Sequence, residues 1–205
     1  MQFTLFDKPI HFATHDELIA AMLALTNDPL AQYGGRMVIY RGNPQADLMI
    51  IGEGPGANED QQGLPYVGRA GQLLDKILDS VGFDRERDVY VTNAVFRRPP
   101  ENRDPFPEEL EYYRPYLLEI IRLVNPKIII LTGRHSMRIV LDEKQPITQV
   151  RGQWYAREGR WIMPVFHPAY LLRNPSKEPG SPKWLMWQDI QTIRRKYDEL
   201  TSRHQ

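Results

Sequence analysis

Four short apolar runs punctuate the chain, at 47–52, 89–93, 127–132 and 161–167, and each gives way to turn or polar residues. They are too short for helices and apolar on successive positions rather than alternate ones, the pattern of strands covered on both faces. Between them, 70–81, 107–123 and 134–141 space their apolar residues at helical intervals, and a further such segment, 184–200, closes the chain. Strand, helix, strand is the rhythm of a parallel α/β sheet, so the pattern predicts an α/β fold on four buried strands. A helix is expected over 14–26, where Thr14 and Glu17 stand three apart as a capping box. The stretch 152–161 alternates and predicts a small hairpin turning near Glu158-Gly159. Phe3, Leu5 and Phe6 alternate ahead of the first helix, as an added strand or an interaction segment would; a plain strand is the expectation.

Composition narrows the class. With 205 residues, 41% of them hydrophobic and 25% charged, the chain suits one globular domain over 1–205. No apolar run approaches the roughly 18 residues that a membrane span needs, and the amino terminus lacks a basic start with a small-residue cleavage site. A cytoplasmic protein, without membrane contact, is expected. There is no cysteine, which excludes disulfides, thiolate nucleophiles and cysteine-held zinc or iron–sulfur clusters. Lys and Arg total 26, as do Asp and Glu, so any contact with a polyanion must be local. Arg69, Arg97, Arg98, Arg103, Arg151, Arg173, Lys177 and Lys183 do fall in loop-like segments, as ordinary surface charge also would.

The unusual chemistry sits where the strands end, the place at which open parallel sheets bind ligands. Gly52-Glu53-Gly54-Pro55-Gly56 follows the first run, with Glu59 and Asp60 close behind. Its glycines permit close backbone approach to a ligand, although a plain strand-to-helix turn would also use them. The loop is neither a Walker loop nor a GxGxxG fingerprint. Asn93 ends the second run, where its amide offers a donor and an acceptor together, the pattern that complements a pyrimidine edge; an Asn capping a strand end would look the same. Tyr66 stands in a glycine-flanked loop, fit to stack on a base or to pack on the core. His167-Pro168 follows the fourth run, and a satisfied core histidine is the alternative there.

Taken in order, GEGPGANEDQQGLPYVGRAGQLLDKIL at 52–78, TNAV with RPPENRDP across 92–105, and HPAYLLR at 167–173 closely resemble the family 4 uracil-DNA glycosylases, with the likeness running over about 45–195. The resemblance implies a three-layer α/β/α fold with a central four-stranded parallel sheet flanked by helices. It implies a monomeric DNA-repair hydrolase that flips uracil out of single- or double-stranded DNA and cuts its glycosidic bond, leaving an abasic site. By the same likeness Glu53, beside Gly54 in the catalytic loop, positions or polarises the water, and Glu59 supports the site. Tyr66 replaces the family's stacking Phe, Asn93 reads the uracil edge, and His167 donates toward the departing base. The loop through Ala169 enters the minor groove with Leu171 or Leu172 as the wedge and Arg173 near phosphate.

The departures are as informative. Family 4 enzymes carry four cysteines around a [4Fe–4S] cluster, and the flanking motifs place those positions at Leu25, Asp28, Arg97 and Tyr113. No cofactor and no metal is therefore expected. An Asp28–Arg97 ion pair, with Leu25 and Tyr113 packing apolar surface, is the expected substitute, because a buried pair persists only with both charges present. A related group traps uracil sites covalently through a histidine in an inserted loop; the corresponding 96–100 has neither, which favours hydrolysis. The alternatives are a catalytically inactive DNA- or partner-binding member of the fold, and a glycosylase for other deaminated bases.

Overall fold

The computed structural model describes residues 10–202, so the expected strand around Phe3, Leu5 and Phe6 lies outside them. The helices are α1 (His15–Leu23), α2 (Ala57–Gln62), α3 (Arg69–Asp79), α4 (Pro107–Val124), α5 (Arg134–Leu141), α6 (Ile147–Val150), α7 (Pro168–Arg173) and α8 (Pro182–Thr201). The strands are β1 (Tyr40–Gly42), β2 (Leu48–Gly52), β3 (Val89–Asn93), β4 (Ile128–Thr132), β5 (Tyr155–Arg157) and β6 (Arg160–Val165). They form one sheet in the order β1-β3-β2-β4-β6-β5.

Each apolar run is a strand of the parallel centre, β3-β2-β4-β6, and side chains alternate between two cores. Met49, Ile51, Tyr90, Ile129, Leu131 and Ile162 face one core, against Leu18 and Met22 of α1 and Leu117 and Ile120 of α4. Leu48, Ile50, Val91, Ile128, Ile130 and Met163 face the other, against Leu74 and Leu78 of α3 and Ile190 and Ile193 of α8. Removing both faces from water stabilises by about 1.5–3 kcal/mol per large side chain, which is why these runs carry no polar alternation.

The sheet has six strands, not four. The two additions are antiparallel edges, β1 on β3 and β5 on β6. The β5–β6 pair is the expected hairpin, with Glu158 (φ 49) and Gly159 (φ 78) both left-handed at its turn. Strand β1 was not among the four expected strands; only its first residue, Tyr40, is apolar, and the apolar run Met37-Val38-Ile39 is buried just ahead of it. Tertiary contact forms it: the Tyr40 ring stacks on Tyr90 at 5.0 Å between centroids. Helix α1 begins as expected, Thr14 Oγ1 accepting from the Glu17 N–H at 3.2 Å. The Glu17 carboxylate, however, accepts from the Ala13 N–H rather than from the cap residue.

The four positions assigned above to absent cysteines meet under the proline-rich loop. Arg97 Nε donates to Asp28 Oδ2 at 2.8 Å, as expected, and its remaining nitrogens donate to the carbonyls of Leu25 and Gly35, each at 2.7 Å. Tyr113 does more than pack. Its ring meets Phe96 edge-on at 5.5 Å, while its hydroxyl donates to Asp28 Oδ1. Leu25 packs at the edge of the same core. The knot ties the segment after α1, the loop after β3 and helix α4 together.

Candidate active site

Parallel register brings the carboxyl ends of β2, β3, β4 and β6 level: Gly52 stands opposite Asn93, and Thr132 opposite Val165. Gly52 has to be glycine. A Cβ there would lie 2.3 Å from Tyr66 Oη and 2.4 Å from Asn93 Oδ1, so the two side chains converge on its bare backbone. Asn93 is 1% exposed, and its Nδ2 is buried with no hydrogen-bond partner among the described residues. An unmet buried donor costs about 1–3 kcal/mol, which a ligand carbonyl would return.

His167 caps α7 with its imidazole, Nδ1 accepting from the Ala169 N–H at 3.1 Å. That contact leaves Nδ1 without a proton and puts the N–H on Nε2. Burial, reinforced by the charge of Arg173, pushes the pKa down to about 4, so the ring is neutral at pH 7. Nε2 lies 3.3 Å from Tyr66 Oη, which in turn is 2.6 Å from Thr132 Oγ1, and Thr132 donates to the Ile51 carbonyl. With Nε2–H as donor the chain runs one way, from His167 to Tyr66 to Thr132 to the backbone. Tyr66 sits at φ 57 and is 6% exposed, its ring 5.9 Å from the imidazole. The end of its loop packs so tightly on α3 that a Cβ at Gly71 would fall 1.8 Å from the Tyr66 carbonyl oxygen.

Glu53 follows β2 into a cleft of about 240 Å³ lined also by Gly54, Glu59, Tyr66, Arg103 and His167. Its pKa is raised to about 7, first by burial and then by the Asp104 carboxylate, with Arg134 opposing. Two residues that sequence reasoning missed stand behind it. His135 Nε2 is 3.4 Å from Glu53 Oε2 and 3.8 Å from Asp104 Oδ1, and Arg134 pairs with Asp104. Neither was assigned a role from the sequence: Asp104 sits inside the RPPENRDP stretch without one, and His135 lies in a helix 82 positions from Glu53. Glu53, Asp104 and His135 offer ligand atoms within 4.8 Å of one another. The set fits a cation poorly: Asp104 already balances the Arg134 guanidinium, whose Nε also donates to His135 Nε2 at 3.1 Å.

Glu59 lines the cleft, its carboxylate accepting from the N–H groups of Gly56, Val67 and Gly68 at 3.2, 2.9 and 2.7 Å. It braces the Gly52–Gly56 loop against the Tyr66 loop. Of the wedge candidates, Leu171 is 1% exposed in the core below α7, so it presents nothing outward; Leu172 is partly exposed and Arg173 exposed. A six-residue helix has to turn one of two adjacent leucines inward. Arg103 is held by both oxygens of Glu109, at 2.8 and 2.6 Å, with Phe106 under its guanidinium.

The family model described as the uracil DNA glycosylase superfamily matches residues 39–191, a span that includes every residue of this cleft. The chain belongs to the uracil DNA glycosylase superfamily. Among its relatives is a type-4 uracil-DNA glycosylase of Thermotoga maritima, 43% identical over 154 residues that cover 73% of this chain and 79% of the relative. The type-4 uracil-DNA glycosylase of Archaeoglobus fulgidus is 40% identical over 78% of this chain and 84% of its own. That of Sulfurisphaera tokodaii is also 40% identical, covering 72% and 70%. Asp28, Leu25 and helix α1 fall ahead of the family match, whereas Arg97 and Tyr113 fall inside it. With no cysteine anywhere, a thiolate-held cluster has no ligands in this chain. Among the described residues, no helix is long and apolar enough to cross a membrane.

Proposed function

We propose that the protein excises uracil from DNA by hydrolysis, acting as a monomer in the cytoplasm on single- or double-stranded substrate, with no metal or other cofactor. The orphaned Asn93 amide, buried beside Gly52 and Tyr66 at the strand ends, carries this reading. Its Nδ2 donor suits the uracil O4 carbonyl and its Oδ1 suits the ring N3–H, a pairing in which cytosine would set donor against donor. A base stacked in DNA is out of reach of a buried amide, so the nucleotide must be flipped toward it, at a cost of a few kcal/mol. Leu172, partly exposed, and Arg173, exposed, would supply the apolar wedge and the phosphate contact that offset it.

Cleavage breaks the bond between C1′ and N1, with its electron pair leaving on the base. The neutral His167 donates Nε2–H toward O2 of that anion, giving up its contact with Tyr66, and a donor placed this way is worth roughly 10²- to 10³-fold in rate. Ionised Glu53 faces the sugar, stabilises its developing positive charge and takes a proton from the water that adds to C1′. Tyr66 closes the cleft wall, and Glu59 holds its loop.

Incubation with a uracil-containing oligonucleotide in EDTA, followed by alkali, should give strand scission at the uracil position and none on the matching cytosine strand. An intact uracil strand at enzyme excess would rule the activity out.

A further inference from the structure

Helix α8 turns Met186, Ile190 and Ile193 into the core and leaves Trp184 and Trp187 outside, 36% and 44% exposed. The two indoles are three residues apart and so share a face. With Lys177 and Lys183 they line a separate cavity of about 330 Å³. Among the described residues neither lysine pairs with a carboxylate, and neither indole stacks on another aromatic ring. Two large apolar residues that keep over a third of their surface in water, beside unpaired cations, add less to the fold than buried ones would. They match a ligand with a flat π face and a negative charge.

We propose that this cavity is a second nucleic-acid contact, a stacking pocket for an unpaired base of the strand that flanks the nucleotide held in the cleft. Position supports it. Lys177 follows Arg173 by four residues, so the pocket begins within about 14 Å of the α7 residues placed against DNA above, even along a fully extended chain. From Arg173 to Lys183 three cations stand against the single carboxylate of Glu178, a local excess in a chain whose net charge is zero. Bases stacked in a duplex have no free face, so the occupant is a single-stranded stretch. Stacking tolerates any base, and the lysines track phosphate.

This inference rests on the assigned placement of α7 for the identity of the strand, and its test separates the two. A uracil-free oligothymidylate is titrated against the full chain by tryptophan fluorescence. Cleavage kinetics are measured on single-stranded uracil substrates of about five and about fifteen nucleotides, lengths that fall short of and reach the pocket. In a Trp184→Ala/Trp187→Ala variant, affinity for the uracil-free strand should drop about tenfold. The KM of the long substrate should rise by a similar factor, while the KM of the short one and kcat on both stay unchanged. Lys177→Gln/Lys183→Gln should lower the slope of log affinity against log salt by about 1. Strand binding and length dependence equal to those of the unaltered protein would overturn the pocket, as would an equal loss on both substrate lengths. A protein that binds the uracil-free strand through these residues yet cuts no uracil supports the pocket and refutes the glycosylase.

Discussion

At the rim of the sheet Asn93 holds a buried amide donor with no partner, Glu53 a carboxyl pushed up to about 7 and His167 an imidazole pushed down to about 4. Beneath the proline-rich loop Asp28 is just as buried, yet both its oxygens are met, by Tyr113 and the Leu30 N–H on one side and by Arg97 on the other. The same polar chemistry is thus left wanting in one place and completed in the other. Polar groups of a buried knot that serves the fold must satisfy one another, since each unmet one costs about 1–3 kcal/mol. On the proposed function, groups that meet a base and a water stay partly unsatisfied until they do, and the fold bears that cost.

The largest break in this contrast comes from Glu53→Gln. It should lower kcat by about 10²- to 10⁴-fold while leaving DNA affinity intact, measured by single-turnover cleavage alongside binding. A fall in binding equal to the fall in rate would place Glu53 in substrate recognition instead. Asp28→Ala should act on the other region alone. Leaving Arg97 without its carboxylate costs about 3–5 kcal/mol, a drop of about 10 °C in Tm for a domain of this size, with kcat preserved below the transition. If kcat falls and Tm does not, the knot belongs to the active site.

The pH dependence sharpens the comparison. On the proposed role, cleavage uses ionised Glu53, so kcat should fall toward tenfold per unit once pH drops below about 7, while His167 stays neutral down to about 4 and sets no limit in that range. Stability runs the other way for the same group. Folded Glu53 binds its proton at about 7 and the unfolded side chain at its ordinary 4.5, so this carboxyl favours folding most at low pH and loses that contribution as pH rises through 7. The Tm advantage of Glu53→Gln should therefore be widest above pH 7 and close as pH falls toward 4.5; a constant gap would contradict the raised pKa. The smallest change in stability is expected of Asn93→Leu, which replaces the unmet amide by an apolar side chain of similar size. It should raise stability by about 1 kcal/mol in a denaturant titration while abolishing discrimination between uracil and cytosine strands. A loss of stability would mean that the amide is satisfied in the free protein.

Much of this was legible along the chain. The four continuous apolar runs set the parallel strands because only a strand covered on both faces lacks a polar side. Glu53, Asn93 and His167 follow those strands directly, so locating the strand ends located them as well. The absence of cysteine, with Asp28 and Arg97 at two of the vacated positions, forecast an ion pair that does form at 2.8 Å. Local sequence is silent about groups brought together by chain reversal. That Asp104 and His135 back Glu53, that Leu171 rather than Leu172 turns into the core, and that Tyr40-Arg41-Gly42 is a strand depend on which surfaces meet across the sheet. The state of His167 is of the same kind. Its residue type permits either ring nitrogen to carry the proton, and only the cap on the Ala169 N–H, formed once β6 and α7 are in place, fixes the proton on Nε2.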